Sequence, residues 1–430
     1  MSLYRGHRKQ DITDHVLLHT FSYIHPQFHF LIMRCFSRSP ETMMTQKLQI
    51  SLIIDGQFYL DNTFKAILTA VRFREDATYY FARNGDERGL QWAISNNFPI
   101  HSKTMEGAAI GGHTSIINFL SDHGVRWDTN TCRGAAKGGQ LQVLQMLHRA
   151  GCPWNVETCN GAARGGHLDM LQWCRLRNCP WSESTCSWAA DEGHLNILQW
   201  AHENGCPWDA ETCNGAVRGS HLEVLKYARS QNCPWNSDTF ATAAFKGNME
   251  ILRWMRENGC PWNERTCIRA TSVGNIEVLK WVRSYGCPWD EGTCSEAAHK
   301  GYQHILIWAH ENGCPWSTWT CSWAAMGGHI DILQWLRLNG CPWDSETCAM
   351  AVRNGDINVL KWVRANGCPW DSNLCVEAIK SNRLDILEWI TENGCPWDQT
   401  AFKTAQKCST AEIVRFARIH QQEILQNSEK

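Results

Sequence analysis

The sequence predicts an all-α fold: a solenoid of short helix-turn-helix units with shortened loops and little or no strand. Three observations carry that expectation. A Cys-Pro-Trp tripeptide returns at a fixed step, its cysteine standing at 152, 179, 206, 233, 260, 287, 314, 341, 368 and 395, every interval being 27 residues. A second cysteine, usually in Thr-Cys, keeps the same step at 132, 159, 186, 213, 267, 294, 321, 348 and 375. Between them, an alanine-rich stretch alternates with one whose apolar residues fall at helical spacing. Self-similarity at a fixed period marks a repeat architecture.

The register extends both ways. Val125-Arg126-Trp127 and Phe98-Pro99-Ile100 occupy the Cys-Pro-Trp slot upstream, and Gly85 with Leu90-Gln91-Trp92 fits one step earlier. Phe402 and Ile413-Val414-Arg415-Phe416 close the series downstream. The expected organisation is about thirteen units of 27 residues over 77–427, behind an N-terminal helical region of residues 1–76.

One unit gives the local physics. Asn155 is a good helix N-cap, and Glu157 in the first turn complements the helix dipole. A short helix then runs through Thr158-Cys159-Asn160-Gly161-Ala162-Ala163, and Gly165-Gly166 ends it because glycine tolerates the left-handed cap conformation. His167 to Cys174 carries the second helix. Asn178 stands where most units have glycine, and Pro180 prevents continuation. Two helices this short cannot bury an apolar face alone, so they must stack on their copies.

The chain of 430 residues holds 22 cysteines and 23 tryptophans, and both excesses trace to the repeat. The copies act as an internal substitution experiment. Phe240, Phe402 and Met105 fill the Thr-Cys slot, while Val125 and Phe98 fill the Cys-Pro-Trp cysteine slot. None of these ligates zinc or forms a disulfide, and all fill a core pocket. The spacings of seven and twenty also differ from the paired ligands of a zinc module. The cysteines are therefore read as core residues, with no metal and no cofactor expected. The helix-B tryptophans, replaced by Phe119, Met146, Tyr227 and Phe416, take the same core reading.

Net charge is −2. Near-neutral charge argues against a dedicated nucleic-acid or anionic-membrane binder, so neither is expected as a partner. The first residues lack an apolar signal core, and no apolar run reaches membrane-spanning length. A reducing cytosol or nucleus is expected, not secretion. No phosphate-binding glycine loop, Gly-x-Ser-x-Gly or His-Glu-x-x-His occurs, so no enzyme activity is expected.

The pattern Thr-Cys-x-x-Ala-Ala-x-x-Gly-His-Leu-x-Ile-Leu-x-Trp, as in Ala162-Ala163-Arg164-Gly165-Gly166-His167-Leu168, resembles the ankyrin repeat. The family's Thr-Pro-Leu-His is shortened here to forms such as Thr158-Cys159-Asn160-Gly161, and the period is 27 against the family's 33. The lost residues belong to the protruding β-finger. This compact form is similar to arrays of large DNA viruses and of some algae and oomycetes. The resemblance implies a non-catalytic, monomeric scaffold that binds partner proteins on its concave face, through the two residues after Ala-Ala. Those positions hold Lys137, Arg164, Arg218, Phe245, Met326, Arg353 and Lys380, with Trp188, Arg269 and Trp323 inside the same helix and Trp319 in the loop before it. Excess tryptophans beside Phe245 and Met326 suit partner anchors, with extra packing as the alternative. The cations also fit as simple complements of helix C-termini.

Within residues 1–76, Asp14 to Pro26 resembles the opening of an F-box. That resemblance implies docking of a Skp-type adaptor of cullin ubiquitin ligases through Leu17, Leu18, Phe21, Ile24 and Pro26. The segment 12–36 lacks the motif's Leu-Pro start and closing tryptophan. A helix capping the first repeat is the other reading. If the F-box works, the chain is a substrate receptor rather than a plain scaffold.

Overall fold

The computed structural model describes residues 71–408 and 410–428. Among them it is entirely helical, with 26 helices and no strand. A helices and B helices alternate, from Val71–Asn84 and Glu87–Ser95 to Gln399–Gln406 and Ala411–Ser428. The expected helix-turn-helix solenoid with short loops is what forms. The described residues divide into two compact units, the first ending at Pro207 and the second beginning at Trp208. The F-box-like segment, with Leu17, Leu18, Phe21, Ile24 and Pro26, lies outside the described residues.

Each pair begins and ends by local hydrogen-bond chemistry. Asn155 caps the A helix Val156–Gly165, its side chain accepting from the Glu157 N–H at 3.0 Å. Gly166, at φ 82°, takes the left-handed cap. The B helix Leu168–Arg175 follows, and Asn178 enters the left-handed region at φ 59°, where most units place glycine. The next residue, Cys179, donates its N–H to the Cys174 carbonyl at 3.0 Å. That is the six-to-one bond of a Schellman motif, whose residue after the left-handed position is commonly apolar and packs back on the helix. Val125 and Phe98 make the same bond, to Leu120 at 3.0 Å and to Ala93 at 2.9 Å. The Cys-Pro-Trp cysteine is thus the residue that closes a B helix.

Its sulfur has a second task that the sequence reading did not foresee. In all ten Cys-Pro-Trp copies Sγ donates to the carbonyl of the residue that opens the A helix of the same pair. Examples are Cys152 to Asp128 at 3.4 Å, Cys206 to Ser182 at 3.4 Å and Cys368 to Asp344 at 3.2 Å. The thiol ties the end of each pair to its start. Twenty of the twenty-one repeat-region cysteines are buried, Cys408 being half-buried, and burial pushes the Cys260 thiol up to about 12.

Packing within each unit is close. The Ala-Ala positions, such as Ala189, Ala190, Ala297 and Ala298, are fully buried, as are the B-helix residues Ile197, Leu198, Ile305 and Leu306. Each such leucine or isoleucine contributes about 1.5–3 kcal/mol by burial. Where A helices approach most tightly the sequence has glycine: a Cβ on Gly161 would lie 2.6 Å from the Arg133 carbonyl oxygen.

The tryptophans depart from the core expectation. Joint and B-helix indoles are half-buried and form a seam between pairs. Trp181 meets Trp200 edge-on at 5.9 Å, and Trp289 meets Trp308 at 5.9 Å. The preceding B helix covers the other side: Arg175 lies 4.1 Å from the centre of Trp181, Arg283 lies 3.9 Å from Trp289, and His310 stacks on Trp316 at 3.5 Å. The same arginines donate to the joint carbonyls, Arg175 to Cys179 and Arg283 to Cys287. An indole is too large for the alanine-lined interior. It buries its body, and a cation rests on its open face.

Gly161→Ala is expected to destabilise the chain by about 1–3 kcal/mol, the usual cost of overpacking, which exceeds the helix-propensity gain of about 1 kcal/mol. A lowered urea midpoint checks this; an unchanged or raised midpoint would show that the neighbouring helix yields freely.

Candidate functional site

After the buried Ala-Ala, the next residue of the A helices is half-buried or exposed and varies from unit to unit, while the one after it is glycine at 138, 165 and 327, where the preceding A helix comes close.

In the first unit this face is charged. Arg133 pairs with Glu106 at 2.8 Å, and Arg164 with Glu192 at 3.0 Å. The Arg164 guanidinium also lies 4.3 Å from the centre of Trp188, a half-buried ring that is therefore partly covered by its own chain. Lys137 is exposed, and partial burial, together with Arg164 and Arg83, pulls its ammonium below the ordinary lysine value.

In the second unit the face is apolar at its middle. Phe245 is 43% exposed, Val273 38%, Trp319 46% and Trp323 36%. They sit on the A helices Ser237–Lys246, Glu264–Ser272 (Val273 being its C-cap) and Thr318–Gly327. Arg269 reaches over Phe245 at 5.9 Å, and His299 meets Trp323 edge-on at 5.0 Å. Met326 is half-buried, and its carbonyl accepts from Asn354 Nδ2 at 3.0 Å.

Further along, the charges are already matched. Arg353 meets Glu346 at 3.0 Å and Glu377 at 2.7 Å, and Lys380 meets Glu377 at 3.2 Å. Arg218 stands 3.8 Å from Glu211. The Arg353 guanidinium holds the Glu377 carboxyl below the ordinary glutamate value, against the opposing effect of burial, with Lys380 adding to the lowering. The candidate residues thus divide. Phe245 and Arg269 lie on adjacent A helices of the second unit, and Trp319, Trp323 and Met326 lie on Thr318–Gly327, one A helix beyond, past Glu291–Lys300. Arg353 and Lys380 form an ion-pair network, and Lys137, Arg164 and Trp188 belong to the first unit. Glu377 was not foreseen; its immediate 27-residue register partners are Met350 and Thr404, and the slot holds one other carboxylate, Glu296.

Among the described residues no group of three or more His, Cys, Asp or Glu side chains is placed to hold a metal. No described helix is long and apolar enough to cross a membrane.

No family model matches the chain, and no curated protein matches it. Similar solved structures include the pentatricopeptide repeat protein PPR10 in complex with an 18-nt psaJ RNA element, at 13% identity and TM-score 0.35, covering 80% of this chain and 69% of that one. PPR10 from maize is similar at 14% identity and TM-score 0.32, covering 89% and 75%. The human ASB11 ankyrin repeat domain is similar at 15% identity and TM-score 0.32, covering 43% of this chain and 98% of that one. The expectation that excludes nucleic acid as a partner is corrected here, because a helical-repeat chain among these holds RNA. Net charge was the wrong quantity: a repeat array presents its charges row by row, and a row can be strongly cationic in a neutral chain.

Glu377→Gln is expected to lower stability at pH 7 by about 1–3 kcal/mol, the range for hydrogen bonds to charged groups. With the folded-state value depressed, the carboxylate stabilises above its unfolded value of about 4.3 and the contribution fades as pH falls through the folded value. Urea midpoints of the two proteins should therefore converge in acid; a gap that persists below pH ~3 would contradict the ion-pair account.

Proposed function

We propose that this chain is a non-catalytic scaffold that holds one or more partner proteins on the A-helix face of ankyrin-like repeats. One observation carries the reading: Phe245, Trp319 and Trp323 leave large apolar surface in water at positions the repeat does not need for packing. Isolated exposed apolar residues are ordinary, but several along one row of A helices, from Ser237–Lys246 to Thr318–Gly327 with Val273 between them, mark an interaction face. Aromatic side chains are the commonest energetic anchors of protein interfaces. The supporting helices are fixed by the joints, so little ordering cost is incurred on association. In this reading the array spans 77–427 as about thirteen units, residues 1–76 form a separate N-terminal region, and the protein works as a monomer in the cytosol or nucleus.

The spacing of Leu17, Leu18, Phe21, Ile24 and Pro26 favours a second reading, in which residues 12–36 dock a Skp-type adaptor and the array selects a substrate for a ubiquitin ligase. Leu17→Asp and Phe21→Asp should each abolish co-purification with the adaptor; capture by neither the parent chain nor the variants removes this reading.

For the scaffold itself, Trp323→Ala is expected to weaken partner capture more than tenfold while leaving the thermal midpoint nearly unchanged. Proximity labelling in the native cell, with and without the substitution, measures the first quantity. A large fall in the midpoint would assign the ring to packing instead.

A further inference from the structure

The exposed apolar face of the second unit has a definite electrostatic frame. The last two outward positions of its A helices hold Arg218, Lys246, Lys300, Arg353, Lys380 and Lys407, and not one Asp or Glu. Complementing helix C-termini accounts for part of this bias. It does not account for Phe245, Val273 and Met326 in the same row, nor for Trp323 one turn back.

The cations also differ in their state. Arg218, Arg353 and Lys380 face carboxylates of their own chain. Lys246, beside Phe245, and Lys300, beside His299, are exposed and make no ion pair among the described residues. Arg269 is exposed and leans on Phe245 rather than on a carboxylate. Glu296 occupies the same register as Arg269 and Trp323, but it is half-buried and outnumbered. The aromatic patch is therefore bordered by unmatched positive charge, and its complement is apolar and negative.

Resting on the protein-binding reading above, we propose that the face from Phe245 to Met326 binds an acidic segment of a partner protein, one whose Asp and Glu residues flank large apolar anchors. The anchors lie against Phe245, Trp319 and Trp323; the carboxylates meet Lys246, Arg269 and Lys300. Water-exposed pairs of this kind set specificity and association rate more than affinity, so the aromatic contacts hold the segment and the cations choose it.

The test pans a phage-displayed library of random peptides on the full chain, with counter-selection on the Phe245→Ala/Trp323→Ala double variant. Enriched peptides should carry Asp and Glu in excess of Lys and Arg, next to Trp, Phe or Leu. A synthetic peptide of the leading sequence should lose about thirtyfold in affinity on Trp323→Ala and about tenfold on the pair Lys246→Glu and Lys300→Glu. Leu338→Ala, which alters an 85% exposed B-helix residue, should change nothing. Circular-dichroism melts of each variant establish that it folds. Neutral or basic peptides bound through Phe245 and Trp323 would overturn the acidic class and leave the protein-binding reading standing. Retention of a random single-stranded RNA pool, released by the two lysine substitutions, with no acidic peptide enriched, would assign the face to nucleic acid. Absence of any enrichment over the double variant overturns the proposal, while loss of native-cell partners on the same substitutions would still uphold the wider reading.

Discussion

The structure depends on how one B helix ends. A Schellman closure puts a backbone N–H of the joint on a carbonyl five residues back, and the residue that supplies it must be apolar enough to turn inward. Cysteine meets that need and adds a weak donor, which reaches the carbonyl that opens the same pair. Proline then blocks further helix, and an Asp, Asn or Ser cap starts the next A helix. Four residues thus fix where a pair ends, how it closes on itself and where the next begins. A period of 27 without exception over the ten joints follows from that geometry, since an inserted residue would move the sulfur from its carbonyl. Val125 and Phe98 keep the backbone bond and lose the sulfur bond. The closure is therefore the requirement, and the thiol reinforces it.

With the joints fixed, the side chains sort by duty. Inside, alanine, leucine and cysteine recur because each unit presents its neighbour with the same surface. Between pairs, indole and guanidinium alternate, each covering apolar area the other leaves open. Only the outward positions of the A helices are released, and the two units use them differently. The first unit neutralises its face with Arg133–Glu106 and Arg164–Glu192, and it lays Arg164 on Trp188. The second leaves Phe245, Trp319 and Trp323 open, although a repeat of this kind has room for polar residues there, as Lys137 and Ser272 show.

The sequence reading reached the fold because periodicity, caps and breakers are local quantities. Asn155, Gly166 and Asn178 do what their chemistry suggested. It missed what depends on distance in space. A repeat period says which residues are equivalent but not which atom of one unit touches which atom of the next. The sulfur–carbonyl tie, spanning 24 residues, left no trace that a search for metal spacing or disulfides would find. The tryptophans were placed in the core because every substitute was large and apolar; size, which kept them at the seam, was the overlooked variable. Glu377 was not read as the partner of Arg353 and Lys380 because its slot holds residues as different as Gly134, Arg269, Glu296 and Trp323, and a register does not say which of them meets a neighbour's cation.

That same slot argues for where function resides. Glycine fills it at 134 and 161, where the neighbouring A helix comes close, and tryptophan fills it at 188 and 323. The demand on that position is set locally: at Gly161 the neighbouring A helix leaves no room for a side chain, while at Trp323 an indole stands 36% exposed. In a quasi-one-dimensional array each unit answers only to its neighbours, and a substitution on the outward face disturbs no distant core. Stability is supplied by the joints and seams, and the A-helix face is left for selection to write on. An exposed aromatic at such a position lowers solubility, and the edge-on contact of Trp323 with His299 leaves the ring 36% exposed. Its presence on Ser237–Lys246 and Thr318–Gly327, two A helices of the second unit with two others between them, and with unmatched cations alongside, is what the proposed ligand would cover.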